Sequence, residues 1–175
     1  MLQYLFTLIF PFFFFSAGEV SNSDQVKWMT ADEITAAYEK EPRPILIDLY
    51  TNWCGWCKKM DKVTYEDARV VKYINSKYYA MKYNAESKQD VNFNNKKFSF
   101  VPAYRANEFA VYLTGGKLQY PTTVFLASPS APPAPLPGYL TPKDIEGPIK
   151  FFGEKQEAKM SFPSFMKAFK AEWSK

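Results

Sequence analysis

The chain has 175 residues, of which 47% are hydrophobic and 18% aromatic, enough for one domain with a real core and too apolar for a disordered chain. Its 22 basic and 18 acidic residues are mixed along the sequence, with no basic run beyond Lys58-Lys59 and Lys96-Lys97, which argues against nucleic acid as a partner. Histidine is absent and Cys54 and Cys57 are the only cysteines, which excludes Cys-His and Ser-His-Asp catalysis, and a four-cysteine zinc site would need a second chain.

Leu2 to Phe15 is almost wholly apolar and uncharged, and Ser16-Ala17-Gly18 supplies small residues before the chain turns polar. The stretch falls short of the ~20 residues of a membrane span. It reads as a signal peptide over residues 1–18, although no Lys or Arg precedes it, leaving a domain over 19–175. An N-terminal anchor is the other use of such a stretch.

Thr30-Ala31-Asp32-Glu33 has capping-box form and opens a helix to about Tyr38. Ile45 to Tyr50 is an apolar run of strand length, read as central and buried, with Asp48 inside it. A helix follows Cys57 to about Tyr65, and a second covers Asp67 to Ser76. Tyr78 to Tyr83 is the next strand. Ser87 to Lys97 is polar and reads as loop or short helix. Ala106 to Leu113 reads as helix, stopped by Gly115-Gly116. Thr122 to Ala127 is a strand entered through Pro121. Ser128 to Pro137 holds five prolines in ten residues and reads as a loop or rigid connection. Thr141 to Phe152 is a helix with Pro142 in its first turn. Ser161 to Trp173 reads as an amphipathic helix whose Phe162, Phe165, Met166, Phe169 and Trp173 stripe packs on the core.

The chemistry-bearing motif is Trp53-Cys54-Gly55-Trp56-Cys57-Lys58, directly after the Ile45–Tyr50 run. Two thiols three positions apart, at a strand exit and a helix start, suit reversible disulfide chemistry. The helix N-terminus favours a thiolate at Cys54, and Cys57 lies one turn further in. A structural clip is the bland alternative, but so short a loop gains little from closure.

With Ile47 to Lys58, Ala80-Met81-Lys82-Tyr83-Asn84, Tyr120-Pro121-Thr122-Thr123-Val124-Phe125 and Gly138-Tyr139-Leu140 in this order, the chain resembles the thioredoxin family over about Ile45 to Phe152. It looks nearest to exported bacterial members, including the soluble reducing domains of DsbD-type transporters. The resemblance implies an α/β thioredoxin-like fold, a central mixed sheet flanked by helices. It makes Cys54 the attacking and Cys57 the resolving cysteine. It makes Asp48 the buried carboxylate that takes a proton, with Lys82 its partner, and Pro121 the cis-proline beside the disulfide. Trp53, Trp56 and Tyr120 are expected to contact substrate. The sequence departs from the common family pattern in the Gly55-Trp56 dipeptide, in Tyr120 before the proline, in an insertion before Pro121 and in an added C-terminal helix. The extra segment, Asn92 to Gly116, would wall one side of the site.

The expected function is a thiol–disulfide oxidoreductase that reduces protein disulfides in the periplasm or after secretion. Oxidation or isomerisation of disulfides, and non-catalytic peptide binding, remain the alternatives. No Gly-rich nucleotide motif is present, so no cofactor is expected. Electrons would come from a protein donor, with a membrane thiol transporter as one candidate.

Overall fold

The computed structural model describes residues 25–173, and the leader expected over residues 1–18 lies outside them. Helix α1 is Ala31–Lys40, capped as the sequence suggests: Thr30 accepts the Glu33 N–H, and the Glu33 carboxylate accepts the Thr30 N–H at 2.7 Å. Strand β1 (Ile45–Tyr50) leads into α2 (Gly55–Val63), α3 (Ala68–Lys77) and β2 (Tyr79–Asn84). An inserted region follows: hairpin β3 (Val91–Phe93) and β4 (Lys96–Phe98), then β5 (Phe100–Val101) and β6 (Ala106–Asn107), then α4 (Glu108–Thr114). Strands β7 (Thr122–Leu126) and β8 (Ala134–Pro137) complete the main sheet, and α5 (Pro142–Gly153) and α6 (Phe162–Ala168) close the described chain.

The sheet order is β2-β1-β7-β8, with β1 parallel to β2 and antiparallel to β7. Period-two alternation divides its residues between two cores. Ile45, Ile47, Leu49, Val124 and Leu126 pack with α1 and α4, around Ile34, Phe109 and Leu113. Leu46, Ala80 and Phe125 pack on the other face with Met60 of α2, Val70 and Ile74 of α3, and Ile145 and Ile149 of α5. This is the α/β thioredoxin-like arrangement, helices on both faces of a mixed sheet. The same alternation puts Asp48 on the α2 side, where register sets Lys82 on one flank and Thr123 on the other.

Three segments depart from expectation. The β3–β4 hairpin takes up most of residues 87–97, read as loop or short helix, and runs on to Phe98. Asn94 and Asn95 turn it with φ of 51° and 58°, a left-handed pair that Asn tolerates better than most residues. The proline-rich stretch ends in a true strand, β8. Gly138 donates its N–H to Pro121 O at 2.8 Å, so by the two-residue period Leu136 and Ala134 also face β7. Pro135 and Pro137 face outward, where a missing donor costs nothing on an edge. The last helix stops early, because Phe169 is extended (ψ 130°) and the chain beyond it reaches back towards α5. Phe162 and Phe165 meet Phe151, but no residue of the aromatic stripe is fully buried.

Candidate active site

Strand β1 delivers the chain to a tight turn, Cys54 N donating to Thr51 O, after which α2 begins. Cys54 is the α2 N-cap, and its Sγ accepts the Cys57 N–H at 3.0 Å. The two cysteines are disulfide-bonded with Cα atoms 5.3 Å apart. An N–H aimed at Sγ from the positive end of a helix is what stabilises a thiolate there. Cys54, expected at an exposed turn with Cys57 one turn inside, is not exposed. It is 4% accessible, as covered as Cys57 at 3%, because its side chain turns back to cap the helix. The flanking tryptophans project instead, Trp53 at 67% and Trp56 at 57% exposed.

On the sheet face against which α2 packs, Asp48 is fully buried. Lys82 Nζ donates to Asp48 Oδ2 at 3.1 Å, while Asp48 Oδ1 has no partner. Burial pushes the Asp48 carboxyl up to about 6, and Lys82 opposes this only in part. Lys82 also bridges to Asp61 on α2, which is partly open to solvent. Burial pulls the Lys82 ammonium down, but Asp48 and Asp61 together outweigh it, and it stays charged. Asp61 escaped the sequence reading. Its signal was its place four residues after Cys57, on the same helix face. Tyr65 closes the pocket, its OH 3.4 Å from Thr123 Oγ1, and burial followed by the Asp48 charge raises that phenol far above its ordinary value.

The Tyr120–Pro121 bond is cis. Pro121 precedes Thr122, which pairs with Leu49 near the end of β1, so it lies at the sheet end that carries the cysteine turn. Trp53 and Tyr120 meet edge to face at 6.1 Å, and Trp53 Nε1 donates to Glu86 Oε1 at 2.9 Å. On the other flank Trp56 packs against Tyr139 at 5.4 Å, with Lys59 Nζ 4.9 Å from its ring centre. The insertion reaches the site through the β5–β6 turn. Tyr104 and Arg105 join Trp53, Glu86, Gln119 and Tyr120 around an open groove of about 650 Å³. Among the described residues no cluster of three or more His, Cys, Asp or Glu could hold a metal ion.

Fold and site define a thioredoxin-fold protein with a disulfide-capable Cys-X-X-Cys pair capping a helix. The chain belongs to the Thioredox_DsbH family, described as a protein of unknown function (DUF255), whose model matches residues 19–172. The thiol:disulfide interchange protein DsbD of Escherichia coli K12 is 40% identical over 52 residues, 29% of this chain and 9% of that protein. DsbD of Ralstonia nicotianae is 44% identical over 39 residues, 22% and 6% of the two chains. The chain therefore spans less than a tenth of these relatives. Among solved structures, a thioredoxin-fold protein from Helicobacter pylori aligns at TM-score 0.57 and 13% identity, covering 85% of this chain and 94% of that one. A DsbH oxidoreductase aligns at 0.52 and 12%, covering 74% and 85%. At such identities the structures speak for the fold alone.

Proposed function

We propose that the protein reduces protein disulfides through the Cys54–Cys57 pair, outside the cytoplasm. In the dithiol form the Cys54 thiolate attacks one sulfur of a substrate disulfide, and the other substrate sulfur leaves as a thiolate. Cys57 then loses its proton, attacks Cys54 Sγ and releases the second substrate thiolate. Two electrons pass to the substrate, its two sulfurs take up two protons, and the protein is left in its disulfide form.

Asp48 is the group that accepts the Cys57 proton, directly or through one water, on the sheet face against which α2 packs. Lys82 holds Asp48 in place, and Trp53, Trp56, Tyr120 and Pro121 form the substrate-facing rim. The observation that carries this reading is the Cys57 N–H on Cys54 Sγ, and an under-satisfied buried acid on the sheet face that α2 covers supports the role given to Asp48. Likeness to a segment of thiol:disulfide interchange proteins supports a protein thiol donor, a membrane thiol transporter being one candidate. The apolar stretch over residues 2–15 supports export, and among the described residues no helix is long and apolar enough to cross a membrane.

The test is insulin reduction with dithiothreitol as electron source, joined to a reduction-potential measurement. Reduction that Cys54→Ser abolishes, with a potential near those of thioredoxins and glutaredoxins, about −200 to −270 mV, supports a reductant. A potential near −120 mV would make the protein an oxidant. Reduction unaffected by Cys54→Ser would leave only a binding module.

A further inference from the structure

The β5–β6 turn is built as a fixed fingertip rather than a loose insertion. Tyr104 N donates to Val101 O and Arg105 N to Pro102 O, each at 3.1 Å, and Arg105 is held at φ 47°. Behind the tip, buried Asn107 ties the insertion to the loop after β2. Its N–H reaches Ala85 O at 2.8 Å, and its side-chain amide reaches Ser87 O at 3.3 Å and Gln89 O at 3.1 Å. That same loop carries Glu86, which holds Trp53. Fingertip, loop and the tryptophan beside Cys54 thus form one connected wall of the groove.

The charges on this wall are not equivalent. Glu86 accepts the Trp53 indole N–H on Oε1, which holds its negative charge at the Trp53 end of the wall. Arg105 is exposed, and among the described residues that line the groove it is the only cation. Tyr104, 60% exposed, stands next to it as an apolar platform. A guanidinium with free donors beside an aromatic ring suits a carboxylate on an extended segment. In an extended strand, residues two apart share a face. Trp53, the neighbour of Cys54, lines the groove with Arg105, so the nearest substrate side chain that shares a face with a half-cystine, two positions away, is the one placed to meet Arg105.

We propose that Tyr104 and Arg105 are specificity-determining residues that select protein disulfides with an acidic side chain two positions from the half-cystine, lying extended in this groove. The proposal rests on the oxidoreductase reading. The exchange is unchanged by it: one substrate S–S bond breaks, the Cys54–Cys57 bond forms, and two electrons pass to the substrate.

The test uses symmetric disulfide dimers of one short peptide, with Asp, Ser or Lys two positions from the cysteine. The matched cysteine-to-serine peptides are titrated alongside by tryptophan fluorescence, which reads recognition without chemistry. The Asp dimer is expected to exceed the Lys dimer about fivefold in kcat/KM at low salt, a gap that closes at about 0.5 M salt, as befits an exposed ion pair. Arg105→Glu should reverse the order. Tyr104→Ala should lower kcat/KM for all three peptides about threefold, the scale of one lost exposed aromatic contact. Both variants should still reduce bis(2-hydroxyethyl) disulfide like the wild type, which confirms an intact fold and cysteine pair. Equal use or binding of Asp and Lys peptides by the wild type, or the same order in Arg105→Glu, overturns the proposal. Selective binding without reduction of any disulfide would instead overturn the oxidoreductase reading and leave the recognition standing.

Discussion

Among the described residues two carboxylates are sealed inside the protein, each beside a lysine, and their pKa values are shifted in opposite directions. Glu146, on α5, takes Lys150 Nζ at 2.8 Å and the backbone N–H groups of Glu172 and Trp173 at 2.9–3.0 Å. Burial alone would raise it, but these donors outweigh burial and hold it below its ordinary range. Asp48 has one donor, Lys82, and one bare oxygen, so burial wins and the group rises to about 6. Satisfaction, not depth, separates them. Glu146 is a locked charge that fastens the C-terminal segment to α5. Asp48 is left able to change protonation near neutral pH, as a group that exchanges protons must be.

The sharpest way to break this contrast is Asp48→Asn. Exchange with insulin is expected to fall about 10²-fold at pH 7, the low end of what a positioned base contributes. The deficit should be largest above about pH 6, where wild-type Asp48 is ionised, and should vanish towards pH 4, where Asp48 is protonated and inert. A rate equal to wild type at pH 7 removes Asp48 from the mechanism.

The stability profile carries the same sign. A folded-state pKa raised above the unfolded value means that the native state holds its proton longer. The contribution of Asp48 is therefore most favourable below about pH 4 and is lost as pH rises through about 6, a change of about 3 kcal/mol at most. Urea unfolding across that window should lose this slope in Asp48→Asn. Glu146 runs the other way. Its depressed pKa contributes stability above about pH 4.5 that is lost as pH falls through the folded value.

Lys82→Met sharpens the comparison next. Without the ammonium, the acid limb of the pH–rate profile should move up by about one unit, because the only donor opposing burial is gone. An unmoved limb would show that Lys82 does not act on Asp48. Glu146→Gln should cost about 1–2 kcal/mol in urea unfolding, since Gln cannot serve all three donors as a charge does. It should leave kcat and its pH profile unchanged. The smallest effect is expected in front of the disulfide. Trp53→Ala should raise KM for protein disulfides about fivefold, the scale of one aromatic contact, with no shift in the pH profile.

Much of the site could be read from the sequence because it depends on local pattern. The apolar run before Cys54 fixes β1, the cysteine spacing fixes the start of α2, and period two places Asp48 on the α2 side. The Lys82 contact follows from parallel register once β1 and β2 are paired. What escaped depends on contacts far apart in the chain or on unusual backbone. Trp53 meets Glu86 across 33 residues of sequence, and no local signal announces it. The β3–β4 strands have three residues each and turn on two asparagines, too short for any alternation to register. Strand β8 is hidden by prolines that are harmless only because they face outward. The last helix looked longer because its aromatic spacing continues past Phe169, where the backbone leaves to satisfy Glu146.

The most direct test of the central claim, that Cys54 attacks and Cys57 resolves, is to trap the intermediate. Reduced Cys57→Ser and Cys54→Ser proteins are each mixed with a disulfide-bonded protein substrate, quenched with acid and weighed by mass spectrometry. The account predicts a long-lived mixed disulfide through Cys54 in Cys57→Ser, released by dithiothreitol, and little or none in Cys54→Ser. Adducts of equal yield through either cysteine, or through Cys57 alone, would contradict it.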